Sequence, residues 1–166
     1  PPPTRATYES DERIATAQAG LDLLIQMVPT FPSMYDDSAT GTAEAIDLLG
    51  MSFRAFQLTG MAVMPSFDQW WLNCDMDEAY ALHRQTLQLL QAACPPRRWH
   101  LKNPSDVFYL EAVRKTYPDA IFVWTHRDPA QVIPSVTNLI AELMDPFVTE
   151  LDRPQLGRTQ IALWAK

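Results

Sequence analysis

Residues 121–128, IFVWTHRD, constrain the fold of this chain more than any other stretch. Five apolar, β-branched or aromatic residues run without alternation and stop at His126-Arg127-Asp128-Pro129. Such a run suits a strand buried on both faces, as in a parallel sheet. Pro129 fits the first position of a helix. Val132, Val136, Leu139 and Leu143 then recur at helical spacing over about 129–144. Upstream, RRWHLK (97–102) is a second strand candidate, and Asn103-Pro104 breaks it. Ser105 is placed to cap a helix of about 106–117, with Val107, Leu110, Val113 and Tyr117 along one face. Strand, helix, strand, helix predicts parallel strands joined by a right-handed crossover. The expected fold class is therefore α/β. Two strands make no stable sheet by themselves, and the chain begins at Pro1 and stops at Lys166 inside a helical pattern. A piece of a longer protein is expected, with 1–96 mostly helical, 97–145 carrying the strand–helix repeat and 146–166 opening a C-terminal segment.

The first ninety-six residues follow a helical grammar. Ile14, Ala17, Leu21, Leu24 and Val28 predict a one-sided helix over 11–28, capped by Ser10 or Asp11 and ended by Pro29. Residues 30–42 read as a loop. Thr42 is expected to cap a helix of about 43–58 with Ile46, Leu49, Phe53 and Phe56 inward. Residues 60–75 read as irregular. A helix over about 76–93, with Ala79, Leu82, Thr86, Leu89, Leu90 and Ala93 inward, ends at Pro95-Pro96.

Composition narrows the function. A net charge of −7 disfavours a broad nucleic-acid surface. No apolar run approaches the roughly 18 residues of a membrane span. Cys74 and Cys94 have neither CxxC spacing nor a nearby histidine pair, so no metal ligand is assigned and a reducing, cytoplasmic setting is expected.

Ligands of parallel α/β sheets sit beyond the carboxyl ends of the strands, which is where Arg127 falls. The amino end of the next helix is expected to offer free N–H groups and a positive dipole end. A guanidinium fork matches phosphate or sulfate, and Ser135 lies two turns into the helix. These residues describe an anion site without naming the anion. The structural alternative pairs Arg127 with Asp128 or a neighbouring helix and leaves Ser135 an ordinary helix residue.

Residues 97–140 resemble the sulfotransferase family, and most of all its bacterial branch. There a strand with Leu-Lys-x-Pro, a helix, Tyr-Pro-Asp-Ala, a strand and His-Arg-Asp-Pro-x-x-Val-x-x-Ser follow in this order; here they are Leu101-Lys102-Asn103-Pro104, Tyr117–Ala120 and His126–Ser135. The resemblance implies a P-loop-like sheet fragment and the donor 3′-phosphoadenosine 5′-phosphosulfate, with Arg127 and Ser135 gripping its 3′-phosphate. It places Lys102 by the sulfuryl group, where it neutralises charge on the bridging oxygen. The acceptor would be a small molecule, lipid or carbohydrate. The family's glycine-rich phosphate loop has no counterpart among the five scattered glycines, so half of the donor site is expected to lie outside these residues, and the chain alone is expected to be a weak binder or inactive.

Other residues read mainly as structure. His100 is a possible general base but is expected to be packed and hydrogen-bonded. His126 is expected to orient its loop, and His83 to lie on the surface or in packing. Asp36-Asp37 and Asp75, Asp77, Glu78 suit solvated loops and helix amino ends better than metal ligation. Trp70-Trp71, with Phe67 and Met64, suits the core better than an acceptor pocket, and Arg97-Arg98 an exposed position. Three alternatives stay open: a phosphoryl-transferring relative, a non-catalytic helical interaction module, and a remnant that does not fold stably.

Overall fold

The computed structural model describes Thr4, residues 6–92 and residues 98–165. Eight α-helices are defined among them: α1 (Arg13–Met27), α2 (Phe31–Met34), α3 (Ile46–Gly50), α4 (Pro65–Trp71), α5 (Asp77–Ala92), α6 (Leu110–Thr116), α7 (Pro129–Met144) and α8 (Arg153–Trp164). Side-chain carboxylates occupy the first-turn N–H groups of some of them. The Asp11 carboxylate accepts the Arg13 N–H at 3.0 Å before α1. Asp152 accepts the Gln155 N–H at 2.8 Å to open α8. These bonds satisfy N–H groups that the first turn of a helix leaves without partners.

One core joins the helices. Ile46, Leu49, Phe56, Trp71, Met76, Tyr80, Val113, Ile140 and Met144 meet there. Trp71 is wholly buried at its centre. Its ring packs edge-on against Phe108 and Tyr109, with centroids at 5.7 and 5.4 Å, and lies 5.6 Å from Phe56. The Tyr109 hydroxyl donates to the Trp71 carbonyl. Trp164 brings α8 in against Phe56 and Phe108. Helices α7 and α8 run antiparallel, with Arg153 near Glu142 and Gly157 facing Thr137.

The expected α/β fold, with its P-loop-like parallel-sheet fragment, is not what forms: no strand occurs among the described residues. Residues 98–103 and 117–128 carry no helix or strand, and Arg97 lies outside the described residues. The reason is physical. An extended segment becomes a strand only when a neighbour accepts and donates along its edge. Among the described residues, no backbone N–H of 121–127 has such a partner. Ile121 and Val123 are instead 84% and 86% exposed.

The helices also depart from expectation: α2 falls in the expected loop, α4 in the expected irregular stretch, and the helix expected over 106–117 splits into the 3-10 turn Pro104–Phe108 and α6. The helix expected over 43–58 stops at Gly50, and Thr42 does not cap it. Ser52 Oγ bonds the Leu49 carbonyl at 2.8 Å, and Phe53 takes a left-handed φ of 56°. That conformation cannot continue a right-handed helix. Phe56 reaches the core from a separate 3-10 turn, Phe56–Gly60. On α5 the inward face is Ala79, Tyr80, His83 and Leu87 rather than the face that holds Leu89 and Leu90. Tyr80 and His83 enter because hydrogen-bond partners await them inside. Ala93 lies outside the described residues.

Candidate functional site

The site-bearing segments are positioned by a buried polar network. Asn103 opens the 3-10 turn Pro104–Phe108, with its side-chain oxygen accepting the Ser105 N–H at 3.1 Å and the Ser105 hydroxyl at 2.8 Å. Its amide nitrogen donates to Asp106, and the Tyr80 hydroxyl donates to the same oxygen at 2.7 Å. Burial raises the Asp106 carboxyl, and those two donors offset only part of the rise. The network fixes Asn103, and so the residue before it, to α5. Beside it Tyr117 Oη lies 2.6 Å from His83 Nδ1. Burial pushes the Tyr117 phenol up to about 12 and lowers the His83 imidazole. Both are neutral near pH 7, as a buried pair without counter-charge should be.

Lys102 ends this anchored segment. Its carbonyl accepts the Ala45 N–H at 2.9 Å, and its ammonium pairs with the Glu44 carboxylate. The Lys102 side chain is 69% exposed and that of Glu44 only 15%. Tyr35 lies against the same carboxylate: burial first, then the Glu44 carboxylate beside it, raises the phenol well above its ordinary range. Partial burial, then the charges of Asp37 and Glu44, raises the Asp47 carboxyl. The sequence singled out Lys102 but not Glu44, Tyr35 or Asp47. Nothing in local spacing joins residues 35–47 to residue 102; only the fold does.

Arg127 and Ser135 sit at the other candidate position. Both are exposed. Neither side chain has a hydrogen bond, ion pair or ring partner among the described residues. Asp128 does not pair with Arg127, because its carboxylate caps α7 by accepting the Ala130 N–H at 2.9 Å. The N–H groups of Gln131 and Val132 both donate to the Asp128 carbonyl, at 2.9 and 3.0 Å. The amino end of α7 therefore has its first N–H groups occupied, contrary to the free donors expected there. An anion at this end would be held by side chains. Ser135 lies six residues beyond Pro129, about 9 Å along the helix axis. No hydrogen bond or ion pair links Arg127 or Ser135 to Lys102 among the described residues.

The remaining candidates take structural places. His126 stacks on Trp124 with ring centroids 5.2 Å apart. His100 is exposed rather than packed. Trp71 belongs to the core, and Trp70 lies outward against Phe67. Asp75 accepts the Asp77 N–H at 2.8 Å, Asp77 pairs with Lys115, and Glu78 pairs with Arg54. The Cys74 thiol, raised first by burial, donates to the Trp71 carbonyl at 3.3 Å; Cys94 lies outside the described residues. Among the described residues no three His, Cys, Asp or Glu side chains gather as a metal site, and no helix is long and apolar enough to cross a membrane.

Among the described residues, a helical scaffold thus presents an unpaired arginine just before α7 and an unpaired serine two turns into it, with a lysine–carboxylate pair on a second anchored segment. Groups of this kind suit proteins that bind and transfer charged groups. All of residues 1–166 match the model of the sulfotransferase family, and the chain belongs to that family. It is similar to the crystal structure of sulfotransferase STF1 from Mycobacterium tuberculosis, at 30% identity and a TM-score of 0.84 over 99% of this chain and 45% of that one. It is also similar to sulfotransferase STF9 from Mycobacterium avium, at 27% identity and a TM-score of 0.81 over 98% of this chain and 43% of that one. The chain therefore spans less than half the length of these two neighbours. No curated protein matches the sequence.

Proposed function

We propose that this chain contributes the 3′-phosphate side of a sulfotransferase donor site. The enzyme would move a sulfuryl group from 3′-phosphoadenosine 5′-phosphosulfate to a hydroxyl or amine of a small-molecule, lipid or carbohydrate acceptor. The observation that carries this reading is Arg127, exposed at the start of α7 with no partner among the described residues. A guanidinium left free beside a capped helix end is available for a bidentate phosphate contact. Ser135 adds a neutral hydroxyl on the same helix. In the transfer, the acceptor forms its bond to sulfur while the bond to the bridging oxygen breaks. Negative charge grows on the departing phosphate, and Lys102 is the cation this reading assigns to it.

The test is donor kinetics in the complete gene product. Charged hydrogen bonds are worth about 1.5–3 kcal/mol. Arg127→Ala should therefore raise the donor KM by roughly 10- to 150-fold. Ser135→Ala should raise it by only about 3- to 10-fold, as for a neutral hydrogen bond. An unchanged donor KM in Arg127→Ala would return Arg127 to an ordinary surface residue.

A further inference from the structure

A lysine stabilises a breaking bond only from a fixed place, and Lys102 is an exposed residue on a segment with neither helix nor strand. Its place must come from its neighbours. We propose that Asp106 is a positioning residue of the transfer, setting where Lys102 stands by holding Asn103 to Tyr80. This rests on the sulfotransferase reading and on Lys102 lying beside the sulfuryl group. One Asp106 oxygen accepts from the Asn103 amide at 2.5 Å and from the Tyr80 hydroxyl at 2.7 Å. The Asn103 side-chain oxygen accepts in turn from the Ser105 N–H and the Ser105 hydroxyl. Asn103 is therefore bonded at both ends of its amide, and its main chain continues directly from Lys102. On the far side the Ala45 N–H holds the Lys102 carbonyl at 2.9 Å. The lysine backbone is thus fixed between α5 and the residue that precedes α3.

The composition of this network speaks for positioning over packing. Tyr80 and Ser105 are buried, and Asp106 carries a desolvated carboxyl. Replacing buried charged groups by apolar residues of similar volume is often neutral or stabilising, so packing alone does not call for a carboxyl here. Networks of buried polar groups that are fully satisfied rigidify one arrangement. The turn that Asp106 closes, Pro104–Phe108, also sets Phe108 against Trp71 and Trp164. The position of the core is in this way passed to the residue next to Lys102. The charge assigned to Lys102 grows only as the bond to the bridging oxygen breaks. Displacing the lysine therefore lowers the rate without loosening the donor.

The experiment uses the complete gene product with 3′-phosphoadenosine 5′-phosphosulfate and water as the acceptor, so that release of inorganic sulfate is the readout. Misplacing a reacting group by about 1 Å costs roughly 100-fold. Asp106→Ala should therefore lose roughly 10- to 100-fold in kcat, with the donor KM and the affinity for adenosine 3′,5′-bisphosphate within about threefold. Asp106→Asn keeps an oxygen for both donors and should recover most of the loss. The deciding comparison is made in a Lys102→Ala background, where Asp106→Ala should cost less than about twofold because the group it positions is gone. Tyr80→Phe removes only a hydroxyl and runs the same cycle with the core volume kept. Losses that multiply in the double variants would overturn the proposal and leave Asp106 a residue of the fold, as would full activity in Asp106→Ala. Full activity in Lys102→Ala would also overturn it, since nothing would remain to position, while bisphosphate binding would keep the donor-site reading. If the unsubstituted protein fails to bind the bisphosphate, the sulfotransferase reading itself falls and takes this role with it.

Discussion

Trp71 and Trp124 belong to two regions of the chain that obey different rules. Trp71 is 0% exposed, ringed by Phe56, Phe108 and Tyr109, and its carbonyl takes two side-chain donors. Trp124 is 62% exposed and has His126 for its ring neighbour. The first region is closed by side chains drawn from Ile46 through Trp164. The second is an apolar stretch that leads directly to Arg127 and has no backbone partner among the described residues. The scaffold and the candidate site are therefore separable. Helix packing around Trp71 holds the chain together, and the segment carrying Arg127 contributes little to that packing.

The largest effect expected from this contrast is on stability. Trp71→Ala should cost about 3–5 kcal/mol, the usual range for a fully buried aromatic truncated to alanine. Trp124→Ala should stay within about 0.5 kcal/mol, as for an exposed position. Urea denaturation of both variants measures the difference, and similar costs would erase the distinction between the regions.

A smaller effect is expected at the buried polar pair. Tyr117→Phe leaves His83 Nδ1 without its partner inside the core. An orphaned buried polar group costs about 1–3 kcal/mol. A cost near zero would mean that water reaches the imidazole.

The smallest effect is a pH slope. Burial lowers the His83 imidazole below its ordinary value of 6.5. The unfolded chain then binds the proton more readily than the folded one. Stability from this residue is complete above about 6.5 and is lost as the pH falls through that value. The midpoint of denaturation should therefore drop between pH 7.5 and about 5, and His83→Gln should flatten the drop. An unchanged slope in the variant would assign it elsewhere.

Much of the helical scaffold was legible in the sequence. Pro129 and the apolar spacing that follows fix α7 at its observed limits, Pro129–Met144. Residues 13–27 and 77–92 also lie within the helices their spacing predicts. The errors have common causes. Positive φ at Phe53 is invisible to periodicity, so one expected helix became a helix and a 3-10 turn. The face of α5 was misjudged because Tyr80 and His83 go inward only when Asp106 and Tyr117 meet them. The strands at 97–102 and 121–125 failed because strand formation depends on neighbours, which a single segment does not encode. At the candidate site, Lys102, Arg127 and Ser135 stood out through a family motif. Glu44 did not, since its link to Lys102 exists only in three dimensions.

The central claim is that Arg127 serves a phosphate and not the fold. Calorimetric titration of the complete gene product with adenosine 3′,5′-bisphosphate and with adenosine 5′-monophosphate tests it most directly. A preference for the bisphosphate of at least about tenfold, roughly 1.4 kcal/mol, is predicted, and it should disappear in Arg127→Ala while the denaturation midpoint holds. Equal binding of both nucleotides, or a preference that survives the substitution, would contradict it.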